Sequence, residues 1–287
     1  MKQICYNEIR SAVCRACIDS AYLLSKDVRE ALERSLKSET SPKARGVISQ
    51  LIHNADIASH KQLPLCQDTG LTVVFVQHGS QVMFKPPDEN PVLSIFDAIN
   101  HGVEDGYSKG YLRKSVVADP LNKRVNTGTN TPAIIHYSIT SGSELSISLM
   151  LKGGGCENKS MFKMFNPTES PERIIDWISR TVIEAGANAC PPFVVGVGIG
   201  GDFEQCCMIS KRALLRNLKD SNPDRFYADM ESIILKRVNS SGVGPLGFGG
   251  DTTALGVNIE TAPCHIASLP VAVNIECHSH RHKRILL

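Results

Sequence analysis

The amino-acid sequence predicts an α/β protein with a mixed, largely antiparallel sheet, surrounding helices and a helical N-terminal segment over about residues 1–60. Apolar residues recur every three or four positions through that segment, as on the buried face of a helix. From about residue 71, short apolar runs are bounded by glycine, serine and proline, which is typical of strands. Because helical and strand patterns then alternate to the end of the chain, we expect one mixed fold.

The N-terminal segment contains three predicted helices. Apolar residues from Ile9 to Ala21 recur every four positions and predict the first helix. Ser25 is a candidate N-cap of the second helix, because its hydroxyl can accept a hydrogen bond from the first turn. A third pattern over residues 47–55 predicts a helix that ends before Pro64.

Strands and helices are then expected in turn. Residues 71–84 are predicted to form two short strands around residues 78–80, and residues 132–140 and 144–151 a β-hairpin around a Ser-Gly-Ser turn. The remaining predicted elements are a helix opened by Ser170 and Pro171 and closed by Gly186, a strand at 192–198, helices at 203–218 and from about 223 to 239, and strands near 252–260 and 269–276.

Composition excludes several classes of protein. The formal net charge is +2 and no basic run is present, so nothing favours a nucleic-acid partner. No apolar stretch approaches the ~18–20 residues that a membrane span needs, and the charged N-terminal residues do not resemble a secretory signal. We therefore expect a soluble, cytoplasmic protein. Since no linker divides the chain, we expect residues 1–287 to form a single domain.

The chain has ten cysteines, which raises the question of metal or cluster chemistry. Nothing directs the protein to an oxidising compartment, so a disulfide framework is not favoured. Cys14 and Cys17 have C-x-x-C spacing but lie on an amphipathic helix without a second pair, so we interpret them as core thiols. Cys206 and Cys207 are adjacent in a predicted helix and point in different directions, which makes joint chelation awkward.

Three other cysteines lie in turns rather than in regular elements. Cys66 follows Leu-Pro-Leu before a polar turn, Cys190 precedes two prolines, and Cys277 follows the last predicted strand. Spacing alone does not select these three. Three thiolates on a four-iron cluster would leave one iron open, which is what a Lewis-acid catalyst requires. We interpret the histidines from His278 to His282 as part of a solvated chain end.

The segment Gly196–Gly201 matches the dinucleotide pattern G-x-G-x-x-G. That fingerprint needs a second strand ending in an acidic residue about 20 residues later. Asp220 stands at that distance but lies between two predicted helices. We therefore expect the glycines to serve close backbone packing, and keep a nucleotide-binding oxidoreductase as an alternative.

Taken together, the motifs resemble those of the class I fumarases, a family that includes the α subunit of L(+)-tartrate dehydratase. The resemblance covers the chain from about Cys66 to its C-terminus. The motifs that carry it are Cys66-Gln-Asp-Thr-Gly70, Asn126-Thr-Gly-Thr-Asn-Thr-Pro132, Lys152-Gly-Gly-Gly155, Cys190-Pro-Pro192, Gly196–Gly201, Gly244-Pro-Leu-Gly-Phe-Gly-Gly250 and Cys277-His278.

This resemblance implies an iron–sulfur hydro-lyase domain with a [4Fe–4S] cluster held by three cysteines, here Cys66, Cys190 and Cys277. Cys156 stands where many fumarases have serine, and it is not counted as a cluster ligand. The resemblance also implies substrate contacts and catalytic groups, namely Gln67, Asp68, Arg113, Gly154 or Gly155, and His265, with Asp68 and His265 in catalytic roles.

The expected reaction is the reversible hydration of fumarate to L-malate, a step of the TCA cycle. The chain ends ten residues after Cys277, where family members continue into a second domain that carries the catalytic base. We therefore expect an α subunit that works with a separate β subunit, as a heterodimer or its dimer. An L(+)-tartrate dehydratase α subunit and a non-catalytic iron-sensing protein remain alternatives.

Overall fold

The computed structural model describes residues 2–287 and divides them into two compact units. Unit 1 consists of residues 2–25, 57–153 and 281–287, and unit 2 of residues 26–56 and 154–280. Each unit is therefore assembled from separate stretches of chain. The α/β class with mixed sheets is confirmed, whereas a single domain over residues 1–287 stays a prediction.

The helices are α1 (Tyr6–Tyr22), α2 (Lys26–Ser38), α3 (Pro42–Lys61), α4 (Ile95–Lys109), the single turn α5 (Gly154–Glu157), α6 (Pro171–Ala185), α7 (Phe203–Ala213) and α8 (Arg225–Asn239). The strands are β1 (Lys2–Cys5), β2 (Leu71–Gly79), β3 (Val82–Lys85), β4 (Ile134–Thr140), β5 (Leu145–Lys152), β6 (Met161–Phe165), β7 (Phe193–Gly200), β8 (Ala254–Ala262), β9 (Leu269–Glu276) and β10 (His282–Leu286). Among residues 2–287, no helix has both the length and the apolar content needed to cross a bilayer.

Unit 1 contains a sheet with the strand order β10-β5-β2-β4 and a small parallel pair, β1 with β3. Helices α1 and α4 cover its core, and they approach closely because α4 has glycines at their contact. A side chain at Gly102 would place its Cβ 2.7 Å from the Arg10 carbonyl oxygen, and one at Gly106 would lie 2.7 Å from Cys17 Cβ. The glycines therefore set how near the two helices can lie.

The predicted hairpin at residues 132–151 is wrong, although both of its strands exist. Strand β2 lies between them and pairs with β4 in parallel and with β5 antiparallel. The connection from β4 to β5 arches over the end of β2, where a side chain at Gly79 would meet the carbonyl oxygen of Gly142 at 2.5 Å. The local turn signal was real, but long-range pairing of the buried β2 decided the topology.

Unit 2 contains a sheet with the order β6-β9-β7-β8, packed against α6, α7 and α8. Ser170 caps α6 and Gly186 ends it, as the sequence predicts. Helix α7 ends at Ala213, before the predicted residue 218, and α8 is capped by Asp224 and begins at Arg225, close to the predicted start at about residue 223.

Two glycines of the dinucleotide-like motif lie inside β7 rather than in a turn after it. An added Cβ at Gly196 would lie 2.2 Å from the Ser210 carbonyl oxygen, and one at Gly198 would lie 2.3 Å from that of Cys206. Both oxygens belong to the backbone of α7, so close packing of this helix against β7 explains these glycines, as expected. The parallel neighbour of β7 is β8, which starts only at Ala254.

The interpretation of the histidine-containing end as solvated is wrong. His280 and Arg281 are buried, at 1% and 2% exposed, and the last residues form β10, which pairs with β5. His280 Nε2 contacts the Leu214 carbonyl oxygen at 2.8 Å. The sequence pattern could not show this burial, because it comes from residues far away in the chain.

Candidate functional site

The turn that follows α3 in unit 1 carries three of the predicted site residues, Cys66, Gln67 and Asp68. Asp68 Oδ1 accepts a hydrogen bond from the Gly70 amide at 2.9 Å, which closes the turn on itself. The buried Tyr107 hydroxyl, on α4, lies 2.8 Å from the Thr69 carbonyl oxygen and 3.0 Å from that of Gly70. The turn is therefore fixed from inside the unit while Gln67 remains exposed.

The loop that carries Arg113 is joined to the same turn. Thr69 Oγ1 donates to the Arg113 carbonyl oxygen at 2.6 Å. The fully buried Asn130 donates from Nδ2 to the Gly70 carbonyl oxygen at 3.1 Å and accepts from the Ser115 amide at 2.7 Å. Arg113 itself is exposed, so its guanidinium can bind a carboxylate from a rigid backbone.

Two buried cations of unit 1 were not predicted as site residues. Lys152 is 0% exposed and lies opposite Leu71 in the β2–β5 pair, and Arg281 is 2% exposed. Arg281 Nη1 donates to the Asp68 carbonyl oxygen. A Cβ added to Gly153 would lie 3.5 Å from both Arg281 Nη2 and Asp68 Oδ2, so the missing side chain keeps this corner open. The guanidinium of Arg281 and the carboxylate of Asp68 therefore both lie close to Gly153, next to the turn.

Cys190 and Cys277 come together in unit 2. The amide of His278, the residue after Cys277, donates to the Cys190 carbonyl oxygen at 3.4 Å. Cys190 is exposed and adopts the left-handed conformation, with φ of 57° and ψ of 63°, which is uncommon for a residue other than glycine. Such strained residues cluster at functional sites. Two cysteines on adjacent loops are suitable donors for an iron–sulfur cluster.

Cys156 joins this region through α5. Its thiol donates to the Ala189 carbonyl oxygen at 3.2 Å, next to Cys190 in the chain. The sulfur atoms of Cys156 and Cys277 and a carboxylate oxygen of Glu276 all lie within 4.8 Å of one another. Gly154 and Gly155 precede Cys156 and are exposed. No motif in the sequence points to Glu276.

His265 lies on the loop between β8 and β9, in a cleft of about 520 Å³ in unit 2 that Asp202, Phe203 and Gln205 also line. The Ala267 amide donates to His265 Nδ1 at 3.1 Å. In the neutral ring the proton is therefore on Nε2, which can donate to a carboxylate.

Cys14 and Cys17 are buried, as expected for core thiols, and Cys206 is buried too. Burial raises the pKa of each of these three thiols, that of Cys206 to about 12. Protonated buried thiols are poor nucleophiles and poor ligands. This leaves the cysteines of the turns as the better ligand candidates.

The structure thus gathers six of the predicted site residues in two groups. In unit 1 it joins Cys66, Gln67 and Asp68 to the Arg113 loop, and in unit 2 it joins Cys190 to Cys277. Asn130 and Arg281 act as supports that sequence reasoning missed. Asn130 was quoted only as part of a motif, and its position inside a glycine- and threonine-containing loop is the signal that could have identified it.

The chain is also similar to known proteins over nearly its whole length. A Methanocaldococcus jannaschii protein, provisionally named the alpha subunit of L(+)-tartrate dehydratase, is 38% identical over 286 residues, which cover 98% of each chain. The L(+)-tartrate dehydratase subunit alpha of Escherichia coli is 29% identical over 289 residues, covering 100% of this chain and 93% of that protein. The profile of the family described as Fumarate hydratase (Fumerase) matches residues 10–286. A match of that extent shows that the chain belongs to the fumarate hydratase family of hydro-lyases.

Proposed function

We propose that the protein is the cluster-bearing α subunit of a hydro-lyase that reversibly adds water to fumarate to form L-malate. The observation that carries the proposal is the network that ties the Cys66–Gly70 turn to the Arg113 loop. It presents a thiol, a carboxylate and a guanidinium from one rigid part of unit 1. Membership of the fumarate hydratase family supports the reaction class.

The proposed cofactor is a [4Fe–4S] cluster held by Cys66, Cys190 and Cys277. When bound, it supplies a Lewis acid at the iron that has no protein ligand, which favours departure of the substrate hydroxyl. Thiol donors fit this group, and the hydrogen bond from the amide of His278, the residue after Cys277, to the Cys190 carbonyl oxygen supports the assignment.

The side chains of this chain would bind and orient the substrate. The exposed Arg113 would hold one carboxylate through its planar guanidinium. His265 would donate from Nε2 to a carboxylate oxygen. Asp68, fixed through its Oδ1 and its carbonyl group, would move a proton at the substrate hydroxyl.

The base that removes the carbon-bound proton would come from a separate β subunit, in an αβ heterodimer or its dimer. The naming of the relatives as alpha subunits supports such a partner. We expect the isolated chain to bind its cluster and to have little or no activity until the partner is added.

A second candidate substrate is L(+)-tartrate, because relatives that match over nearly the full chain are named for it. The two functions are separated by kcat/KM for fumarate, L-malate and L(+)-tartrate with the β subunit supplied. We expect the highest value for fumarate. A tartrate value at least tenfold higher would reverse the assignment, and no activity on any of the three would overturn both.

A further inference from the structure

Three side chains of types that bind metals converge in unit 2. Only one of them, Cys277, is also a proposed cluster ligand. Cys156 lies on α5, Glu276 is the last residue of β9, and Cys277 follows it. Their ligand atoms all lie within 4.8 Å of one another. The three residues are 4%, 1% and 8% exposed, so the group is removed from bulk water.

Local contacts hold both sulfur atoms in this position. The Cys156 thiol donates to the Ala189 carbonyl oxygen at 3.2 Å, and Cys277 Sγ lies 3.9 Å from Glu276 Oε1. Helix α5 is anchored by an ion pair between Glu157 and Lys211, with a separation of 2.6 Å. The geometry is thus fixed by the fold of unit 2.

Two thiolates and one carboxylate form a donor set that suits zinc. Zinc binds cysteine sulfur at about 2.3 Å and tetrahedrally, so two sulfur ligands of one ion lie about 3.8 Å apart. Starting from separations of at most 4.8 Å, closing onto an ion needs shifts of about 1 Å or less. Two cysteine sulfur atoms that bind different irons of one cluster must lie farther apart than this. The sulfur atoms of Cys156 and Cys277 are therefore better placed to bind one ion together.

We propose that Cys156, Glu276 and Cys277 form a binding site for one zinc ion, with water as the fourth ligand. Glu276 supplies the oxygen ligand and the negative charge that a buried divalent ion requires. The site belongs to unit 2 and does not depend on the proposed reaction. If the proposed function is also correct, zinc and the cluster compete for Cys277, so zinc occupancy blocks cluster assembly.

The test uses the full-length chain, freed of metal with a chelator under anaerobic conditions, and Co²⁺ as a visible probe for zinc. We expect one equivalent of Co²⁺ to bind with sulfur-to-metal charge-transfer absorption, and Zn²⁺ to displace it. Cys156→Ser should halve that absorption per bound cobalt and weaken binding by at least about tenfold. Glu276→Gln should weaken binding and keep the two-sulfur absorption.

Cys206→Ser is the matched control, because Cys206 is a buried thiol of the same unit outside the group. It should bind cobalt as the wild type does. The proposal is overturned if the wild type binds no cobalt, or if Cys156→Ser binds it with unchanged affinity and absorption. Cluster loading of Cys156→Ser, followed by Mössbauer spectroscopy, separates this outcome from the proposed function, which requires that variant to load normally.

Discussion

The contribution of Asn130 to the free energy of unfolding provides a quantitative test of which contacts fix the Arg113 loop to the Cys66–Gly70 turn. Asn130→Ala removes two hydrogen bonds, a buried one to the Gly70 carbonyl oxygen and a part-buried one from the Ser115 amide. Asn130 also has φ of 60°, a left-handed conformation that asparagine tolerates better than alanine. Gly70 keeps the Tyr107 hydroxyl as a second donor, which limits the loss there.

We estimate the cost from these contacts. An unsatisfied buried group costs about 1–3 kcal/mol, and the left-handed backbone adds up to about 1 kcal/mol for alanine. Because the Gly70 carbonyl oxygen keeps Tyr107 and water can partly replace the contact of the Ser115 amide, we expect Asn130→Ala to lower the free energy of unfolding by about 1–3 kcal/mol. Urea denaturation followed by circular dichroism measures it as a lower midpoint.

Asn126→Ala is the matched control, since Asn126 also makes two hydrogen bonds in this loop but is exposed. It donates to the Lys114 carbonyl oxygen at 2.9 Å and accepts from the Gly128 amide at 2.8 Å. Water can replace both contacts, so the loss should stay below about 1 kcal/mol. Equal losses in the two variants would refute the reasoning that burial of Asn130 fixes the loop.

Two further predictions concern an ion pair between helices α1 and α4 and a glycine of β7 that packs against α7. Arg10 forms two hydrogen bonds with Asp105, and they lower the pKa of the Asp105 carboxyl. The pair therefore stabilises the fold fully at pH values above the ordinary pKa of aspartate, and this stabilisation is lost as the pH falls through the lowered pKa. Asp105→Asn should therefore cost about 1 kcal/mol at pH 7, given partial exposure, and nothing at pH 2, and a constant difference would contradict this. Gly198→Ala should cost at least about 2 kcal/mol, because its Cβ would lie 2.3 Å from a backbone oxygen of α7. Gly46→Ala is the control, because a Cβ at this position of α3 would meet open space, and it should raise the free energy of unfolding by about 0.5–1 kcal/mol. A similar loss of stability in both glycine variants would contradict the explanation by packing.

Much of the fold could be predicted because its signals are local. Ser170 and Gly186 mark both ends of α6, and the apolar run of β7 is bounded by prolines and glycines. Helix α4, which is not among the predicted elements, also has a local signal, because Ser94 and Asp97 form a capping box at its start.

Other features depend on contacts that sequence patterns do not contain. The two strands around residues 141–143 have hairpin-like chemistry, yet β2 pairs with both of them. The burial of His280 and Arg281 comes from partners far away in the chain. Local hydrophobicity cannot report such pairing, because it depends on which surfaces meet in the folded unit.

The candidate site was predictable only in part. The turn contexts of Cys66, Cys190 and Cys277 suggested these cysteines, and family resemblance selected them from ten. The convergence of Cys156 with Glu276 required the structure, because they lie on α5 and β9.

The central claim, that three specific thiolates hold a cluster, is tested most directly by iron and sulfide content with Mössbauer spectra after anaerobic reconstitution. The account predicts a four-iron cluster in the wild-type chain and in Cys14→Ser, whose buried thiol belongs to the core of α1. It predicts loss of most of that cluster in Cys66→Ser. Full loading of Cys66→Ser would contradict the ligand assignment.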